Sequence, residues 1–316
     1  IGDVIGTRSR MLPQITMAHP SLQASVMPLS SGDRSRLIQA LFELTEEDPL
    51  LRCEIDKYTE EITLRLFGEV QMEVVKALLE ERYNLIVEFG ELMTIFKERP
   101  KKAAEAVIHM NVLPNPYAAS VGLSIEPLPL GSGFIFESEV SYGYLSKSFQ
   151  WAVRDGVKSA CEQGLSGWEV TDLRVCFTYG YYSSPVSTPS DFRHLTPLVF
   201  EKALRMAETE LLEPFMSFEL RIPNENSSRA MYDLQQMRAS VERIDTRNNE
   251  TILYGKIPVE TSKSYQIQLV SYTNGKGVFL IEPHDYDTYL GKPVEKARKP
   301  DPAGDKIRNL FQKYDI

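Results

Sequence analysis

Cysteine and histidine are scarce in this chain. Its three cysteines, Cys53, Cys161 and Cys176, are odd in number and form no C-x-x-C pair among 316 residues. That argues against a disulfide framework or a cysteine-based zinc site and fits the reducing cytoplasm. The four histidines, His19, His109, His194 and His284, stand far apart without an H-E-x-x-H spacing, so no metal is expected. Long apolar runs are missing too. Nothing approaches the roughly 20 residues of a membrane span, and Ile1–Arg10 lacks the basic-then-apolar order of a signal peptide, so no membrane contact is expected. Positive charge is short: 35 Lys and Arg face 44 Asp and Glu, a net −9. Proteins that hold nucleic acid mainly by neutralising phosphates are usually basic. A generic nucleic-acid coat is therefore disfavoured, whereas local contact with RNA through shape and stacking is compatible with this charge.

Catalytic motifs are also absent. No G-x-x-x-x-G-K-[ST] occurs, and Gly131-Ser132-Gly133 and Gly275-Lys276-Gly277 read as turns. The chain is expected to bind no cofactor and to hydrolyse no nucleotide by itself. Ser183, Ser184 and Ser187 precede His194 without a G-x-S-x-G elbow and read as loop hydroxyls. The acidic pairs Glu46–Glu47 and Glu80–Glu81 read as solvated charge.

What is present is ordinary globular composition, 42% apolar and 25% charged, over a length that suits two or three domains of roughly 100–150 residues. Residues 1–20 read as the end of another domain and a linker, and the start at Ile1 without methionine reads as a cut from something longer. Residues 21–99 follow as a unit. Leu22, Ala24 and Val26 alternate as in a strand, and Leu37, Ala40, Leu41 and Leu44 line one helical face. Two short strands come next, then a helix with Val70, Val74, Ala77 and Leu78 on its apolar side, then a strand at Leu85–Phe89. The order β-α-β-β-α-β is the ferredoxin-like split motif. It returns in residues 212–291, with a helix expected at Ser227–Gln236. Between them, residues 100–211 hold strands, a helix carrying Phe149, Val153, Val157 and Ala160, a strand at Val170–Thr178, a loop at Gly180–Asp191, and a helix with Leu195, Val199, Ala203 and Met206. Residues 292–316 form a tail with seven Lys and Arg against four Asp and Glu, whose end reads as a short helix.

Several runs carry a family resemblance. Phe67-Gly68-Glu69-Val70-Gln71-Met72-Glu73-Val74 resembles a strand-to-helix join in domain III of elongation factor G, and Leu211-Leu212-Glu213-Pro214-Phe215-Met216 resembles the entry to its domain V. In the middle unit, Pro114-Asn115-Pro116-Tyr117, the run Pro127–Gly133, Gly143-Tyr144-Leu145 with Ser148-Phe149-Gln150, Cys161-Glu162-Gln163-Gly164, and Ser184–Pro189 with Asp191-Phe192-Arg193 resemble the tetracycline ribosomal protection proteins. The resemblance implies an α+β fold: two ferredoxin-like domains, III and V, flanking a ribosomal protein S5-like domain IV. It implies a full-length GTPase whose missing N-terminal domain binds GTP and Mg, acting as a cytoplasmic monomer in the A site of the 70S ribosome against 16S and 23S rRNA. The domain IV tip loop, Tyr181, Tyr182, Ser183, Ser184, Pro185, Val186, Ser187 and Thr188, would displace tetracycline from 16S rRNA. Neighbouring tip loops would be Pro114, Asn115, Pro116 and Tyr117, and Tyr142, Gly143, Tyr144, Leu145 and Ser146. The family often has two adjacent aromatics directly before Ser-Pro-Val; here Ser183 takes the second place.

The composition of that loop is compatible. Prolines stiffen it, tyrosines offer stacking faces and hydroxyls bond phosphate or ribose without net charge. By itself the same composition also suits a loop that merely covers the domain end. Two other functions fit the sequence: an elongation factor G paralogue acting in translocation, and a stand-alone module that binds protein through its sheets.

Overall fold

In the computed structural model the described residues are 20–48, 50–56, 59–247, 249–298 and 302–314, the side chains of Pro302, Ala303 and Gln312 excepted. The expected end of a preceding domain, residues 1–19, lies outside them. The described chain divides into two compact units, one built from residues 20–95 and 214–285, the other from 96–213 and 286–314.

The first unit opens with β1 (Leu22–Pro28), α1 (Arg34–Glu47), β2 (Arg52–Ile55), β3 (Ile62–Leu66), α2 (Glu69–Tyr83) and β4 (Val87–Phe89). The sheet order is β2-β3-β1-β4, antiparallel throughout, which is the ferredoxin-like arrangement; β5 (Met93–Thr94) adds to β1. Period-two burial places Ile62, Leu64 and Leu66 under α1, whose Leu37, Ala40, Leu41 and Leu44 face the sheet. On α2 the buried stripe differs from the expected one. Val75 and Leu79 are buried, whereas Val70 is 76% exposed and Val74 50%. Two apolar stripes compete on this helix. The sheet takes the one with Met72, Val75 and Leu79, and on the surface Arg82 makes a forked pair with Glu47 on α1 at 2.8 and 2.6 Å.

The second unit begins with β6 (Lys97–Pro100), β7 (Ala104–Ile108), β8 (Ala119–Pro127), β9 (Phe134–Ser138), α3 (Lys147–Cys161), β10 (Glu169–Val170), β11 (Leu173–Tyr182) and α4 (Pro189–Ala207). Its four-stranded sheet runs β7-β8-β11-β9, with β9 and β11 parallel and the other pairs antiparallel. The β9–α3–β11 segment is thus a parallel crossover. Alternate residues Ala119, Val121, Leu123 and Ile125 of β8 and Leu173, Val175 and Phe177 of β11 point into a core closed by Val153 and Val157 of α3 and Phe192, Leu195, Val199, Phe200 and Ala203 of α4. Met206 lies outside that core, 51% exposed, because Ala203, Leu204 and Ala207 take the core-facing side of the last turns of α4 and leave Met206 on the solvent side.

The chain returns to the first unit through β12 (Thr209–Pro223), followed by α5 (Ser227–Gln236), β13 (Ser240–Arg247), β14 (Glu250–Pro258), α6 (Val259–Ser262), α7 (Tyr265–Tyr272) and β15 (Val278–Thr288). The order β13-β14-β12-β15 repeats the ferredoxin-like pattern. Both glycine runs are turns: Gly131 and Gly133 (φ +79° and +69°) and Gly275 (φ +75°) occupy the left-handed region.

In the second unit, the carboxylate of Glu98 on β6 is fully buried and accepts the backbone N–H groups of Leu165, Ser166 and Trp168 at 2.9, 2.8 and 3.1 Å. Burial raises its pKa; those N–H groups and the Thr209 hydroxyl hold the shift back. The loop they fix receives the tail. Trp168 Nε1–H donates to the Val294 carbonyl, Lys296 N–H to that of Ser166, and Arg298 to that of Gly164. The last element, α8 (Pro302–Lys313), buries Phe311 in the core. Glu201 on α4 accepts Arg205, Arg308 and Arg298 at 2.7, 2.8 and 3.4 Å. The tail's positive excess is therefore partly spent on the protein itself.

Two measurements check this account. Leu79→Ala should cost about 2–5 kcal/mol in urea unfolding, whereas Val74→Ala should cost under about 0.5 kcal/mol. Glu201→Ala should cost about 2 kcal/mol, because it strands partly buried arginines, and should open the tail to limited proteolysis. Burial opposes the Glu201 charge, but the hydrogen bond from Arg205 and the charges of Arg298 and Arg308 outweigh it and hold its carboxyl below the ordinary range. Its contribution is thus complete above the ordinary glutamate value and is lost as pH falls through the lowered folded value. Tail cleavage in the unaltered chain should rise only under such acid conditions.

Candidate functional site

The three expected tip loops meet at one end of the second unit, where β7, β8 and β11 turn. β11 runs on through Tyr182, so Tyr181 and Tyr182 sit on a strand and the connecting loop is only residues 183–188. The sequence pattern predicts a loop from Gly180 onward; pairing of Gly180, Tyr181 and Tyr182 with Val121, Ser120 and Ala119 extends the strand instead. At Gly180 a side chain would collide with Phe177 and Leu145, so this glycine lets the 141–146 loop lie against β11.

Hydrogen bonds from polar side chains to the backbone set the loops. Ser187 Oγ accepts the Ser183 N–H at 2.8 Å and donates to the Ala118 carbonyl, joining two loops. The N–H groups of Val186 and Ser187 both donate to the Ser183 carbonyl, 2.9 and 2.8 Å. Asp191, in the first turn of α4, accepts the Thr188 N–H and hydroxyl at 2.8 and 2.7 Å and the Ala118 N–H at 3.4 Å. Burial disfavours the Asp191 charge, yet these donors prevail and lower its pKa. Asn115 donates to the carbonyls of His109 and Ala119, both at 3.0 Å, and accepts the Tyr117 N–H at 2.9 Å. Gln150 is buried. Its amide donates to the carbonyls of Val140 and Leu145 at 2.8 and 3.1 Å and accepts Ser138 Oγ at 2.8 Å.

The named residues divide into an exposed set and a supporting set. Ser184, Pro185, Val186 and Thr188 are exposed, Val186 by 64%. Ser183 and Ser187 are half-buried. Tyr182 is half-buried too, its ring stacked on Phe149 at 5.5 Å; Phe149 in turn meets Phe192 at 4.9 Å. Pro114 and Leu145 are buried and Pro116 is exposed. Tyr117 stacks on His194 at 5.9 Å and lines a cavity of about 500 Å³ with Asp155, Arg193 and Arg308. Tyr142, Gly143, Tyr144 and Ser146 are exposed, as is Leu113 beside the first loop. His194 Nδ1 lies 2.8 Å from the Ser190 carbonyl, one helical turn back, and Ser187 Oγ is bonded to the backbone of Ser183 and Ala118. The supporting roles of Phe149, Gln150 and Asp191 escape sequence reasoning; the available signals are a glutamine on the apolar face of α3 and the T-x-x-D capping spacing of Thr188 and Asp191 at the start of α4. Neither Met110–Ala118 nor Tyr181–Ser190 contains a charged side chain.

The chain matches three family models in series: "Elongation Factor G, domain III" over residues 17–91, "Elongation factor G, domain IV" over 93–208, and "Elongation factor G C-terminus" over 210–297. The chain belongs to the elongation factor G family. Within that family, it is 47% identical to the tetracycline resistance protein TetW of Butyrivibrio fibrisolvens and 48% to TetM from transposon Tn916 of Enterococcus faecalis, each over 99% of this chain and 49% of the relative. The chain thus spans about half the length of these curated relatives. A crystal structure of a Thermus thermophilus protein shares the fold at TM-score 0.66 and 24% identity, over 99% of this chain and 46% of its own. The elongation factor G fold and the tetracycline-resistance resemblance read from the sequence both hold. Among the described residues no group of three His, Cys, Asp or Glu is placed to hold a metal, and no helix is long and apolar enough to cross a membrane.

Thr188→Ala removes the hydroxyl bond to Asp191 at the start of α4 and should cost about 1 kcal/mol, measured by urea unfolding monitored through Trp151 and Trp168.

Proposed function

We propose that the chain is the ribosome-facing part of a ribosomal protection factor. In this reading the end of the elongation factor G domain IV enters the A site of the 70S ribosome and displaces tetracycline from 16S rRNA through residues 181–188. The first unit and the far side of the second contact other ribosomal surfaces, 23S rRNA among them. The whole protein acts in the cytoplasm as a monomer and hydrolyses GTP with Mg through a domain beyond this chain.

One observation carries the reading: an exposed, uncharged Ser184-Pro185-Val186 segment, tied at both ends, on a chain 47–48% identical to proteins named for tetracycline resistance. Such a segment suits entry into a crowded RNA site. It loses little entropy on binding, and it brings no charge that must be desolvated. An acidic protein whose contacts are shape and stacking also leaves a polyanion more readily than a basic one.

The test replaces Ser184, Pro185 and Val186 by glycine in the gene that encodes the chain, in a tetracycline-sensitive host. The inhibitory drug concentration should fall about tenfold, the equivalent of roughly 1.4 kcal/mol of lost displacement energy. Unchanged resistance would eliminate the segment as the displacing element and leave translocation as the better account.

A further inference from the structure

We propose that Tyr142 and Tyr144, with Lys147, are the residues of this end that stack on unpaired nucleobases of RNA, and that Gln150 is the positioning residue for their loop. The inference rests on the reading above, that this end faces ribosomal RNA, and names which rings do the contacting.

Four tyrosines stand at the three loops besides Tyr117, and the structure separates them by what already covers them. Tyr182, the ring nearest Ser184-Pro185, is occupied: it is half-buried and stacked on Phe149. Ser183 supplies no ring in the next place. Tyr181 is 42% exposed and belongs to the paired strand β11. Tyr142 and Tyr144 are the most open, 58% and 52% exposed. They flank Gly143 at the crest of a turn in which the N–H groups of Tyr144 and Leu145 donate to the Ser141 carbonyl. Lys147 Nζ lies 5.5 Å from the centre of the Tyr142 ring. An aromatic face beside a cation is the pairing that single-stranded nucleic acid selects, the ring for a base and the ammonium for the adjoining phosphate.

A crest of two open rings is useful only if it is held. Leu145 anchors the loop from below, fully buried. Gln150, 3% exposed, spans both of its ends, Val140 and Leu145, through one amide nitrogen, while its oxygen is used by Ser138. The first turn of α3 thereby sets where Tyr142 and Tyr144 stand, so this loop is preorganised.

The experiment compares three variants of the encoding gene in the resistance assay, with thermal unfolding of each purified chain. The paired substitution Tyr142→Ala with Tyr144→Ala should lower resistance about thirtyfold or more, two lost base stacks at roughly 1 kcal/mol or more each, with Tm within about 2 °C of the parent. The pair Tyr142→Phe with Tyr144→Phe keeps the rings and should restore resistance. Gln150→Leu should lower resistance with both tyrosines intact. Parental resistance in the alanine pair, while the glycine-substituted 184–186 variant is sensitive, overturns the stacking assignment and leaves the displacement reading standing. A phenylalanine pair as sensitive as the alanine pair also overturns it. Parental resistance in both the alanine pair and the glycine variant overturns the displacement reading itself.

Discussion

A single hydroxyl joins two of the three loops at the exposed end of the second unit. Ser187 Oγ takes the N–H of Ser183 across its own loop and gives its proton to Ala118 in the neighbouring one. Everything exposed at that end hangs from this bridge and its companions, Asn115, Gln150 and Asp191. Each bonds backbone groups that would otherwise need water. The arrangement explains how loops with no charged residue can stay ordered at the surface. Their apolar crests, Leu113, Tyr142, Tyr144 and Val186, are held outward by polar supports beneath.

Much of the scaffold was legible because its signals are local. Alternation at Leu22, Ala24 and Val26 and the 3.6-residue stripe of α1 each have one physical reading. The two β-α-β-β-α-β runs differ in sequence yet obey the same periodicities. The α2 face was not legible: Val70 with Val74 and Val75 with Leu79 are equally periodic, and the choice rests on how Met72, Val75 and Leu79 pack against the sheet, a tertiary contact that no spacing reveals. The reach of β11 was hidden for a similar reason. Pairing with β8 carries Tyr181 and Tyr182 into the sheet although Gly180 reads as a turn. For the same reason the role of Tyr182 could not be read from its neighbours, since its partner Phe149 is more than thirty residues away.

Opposite solutions to charge coexist in the second unit. Within the loop segments themselves charge is avoided, Asp191 and Lys147 standing at the helix starts behind them. On the α4–α8 side it is concentrated: Glu201 is shared by Arg205, Arg298 and Arg308, and nearby Glu98 is buried under three backbone donors. The clamp at Glu201 converts a locally basic tail into a fixed part of the domain, so local charge excess in a sequence need not remain available to an outside partner.

The interleaving of segments has a consequence for synthesis. Each unit is completed by chain that emerges late: residues 214–285 finish the first and 286–314 the second, with Phe311 among the last of the described residues to enter a core. A nascent chain therefore exposes unfinished apolar surface on both units until these segments have left the ribosome that makes them. A stop codon within β15 would leave both units incomplete rather than deleting one of them cleanly.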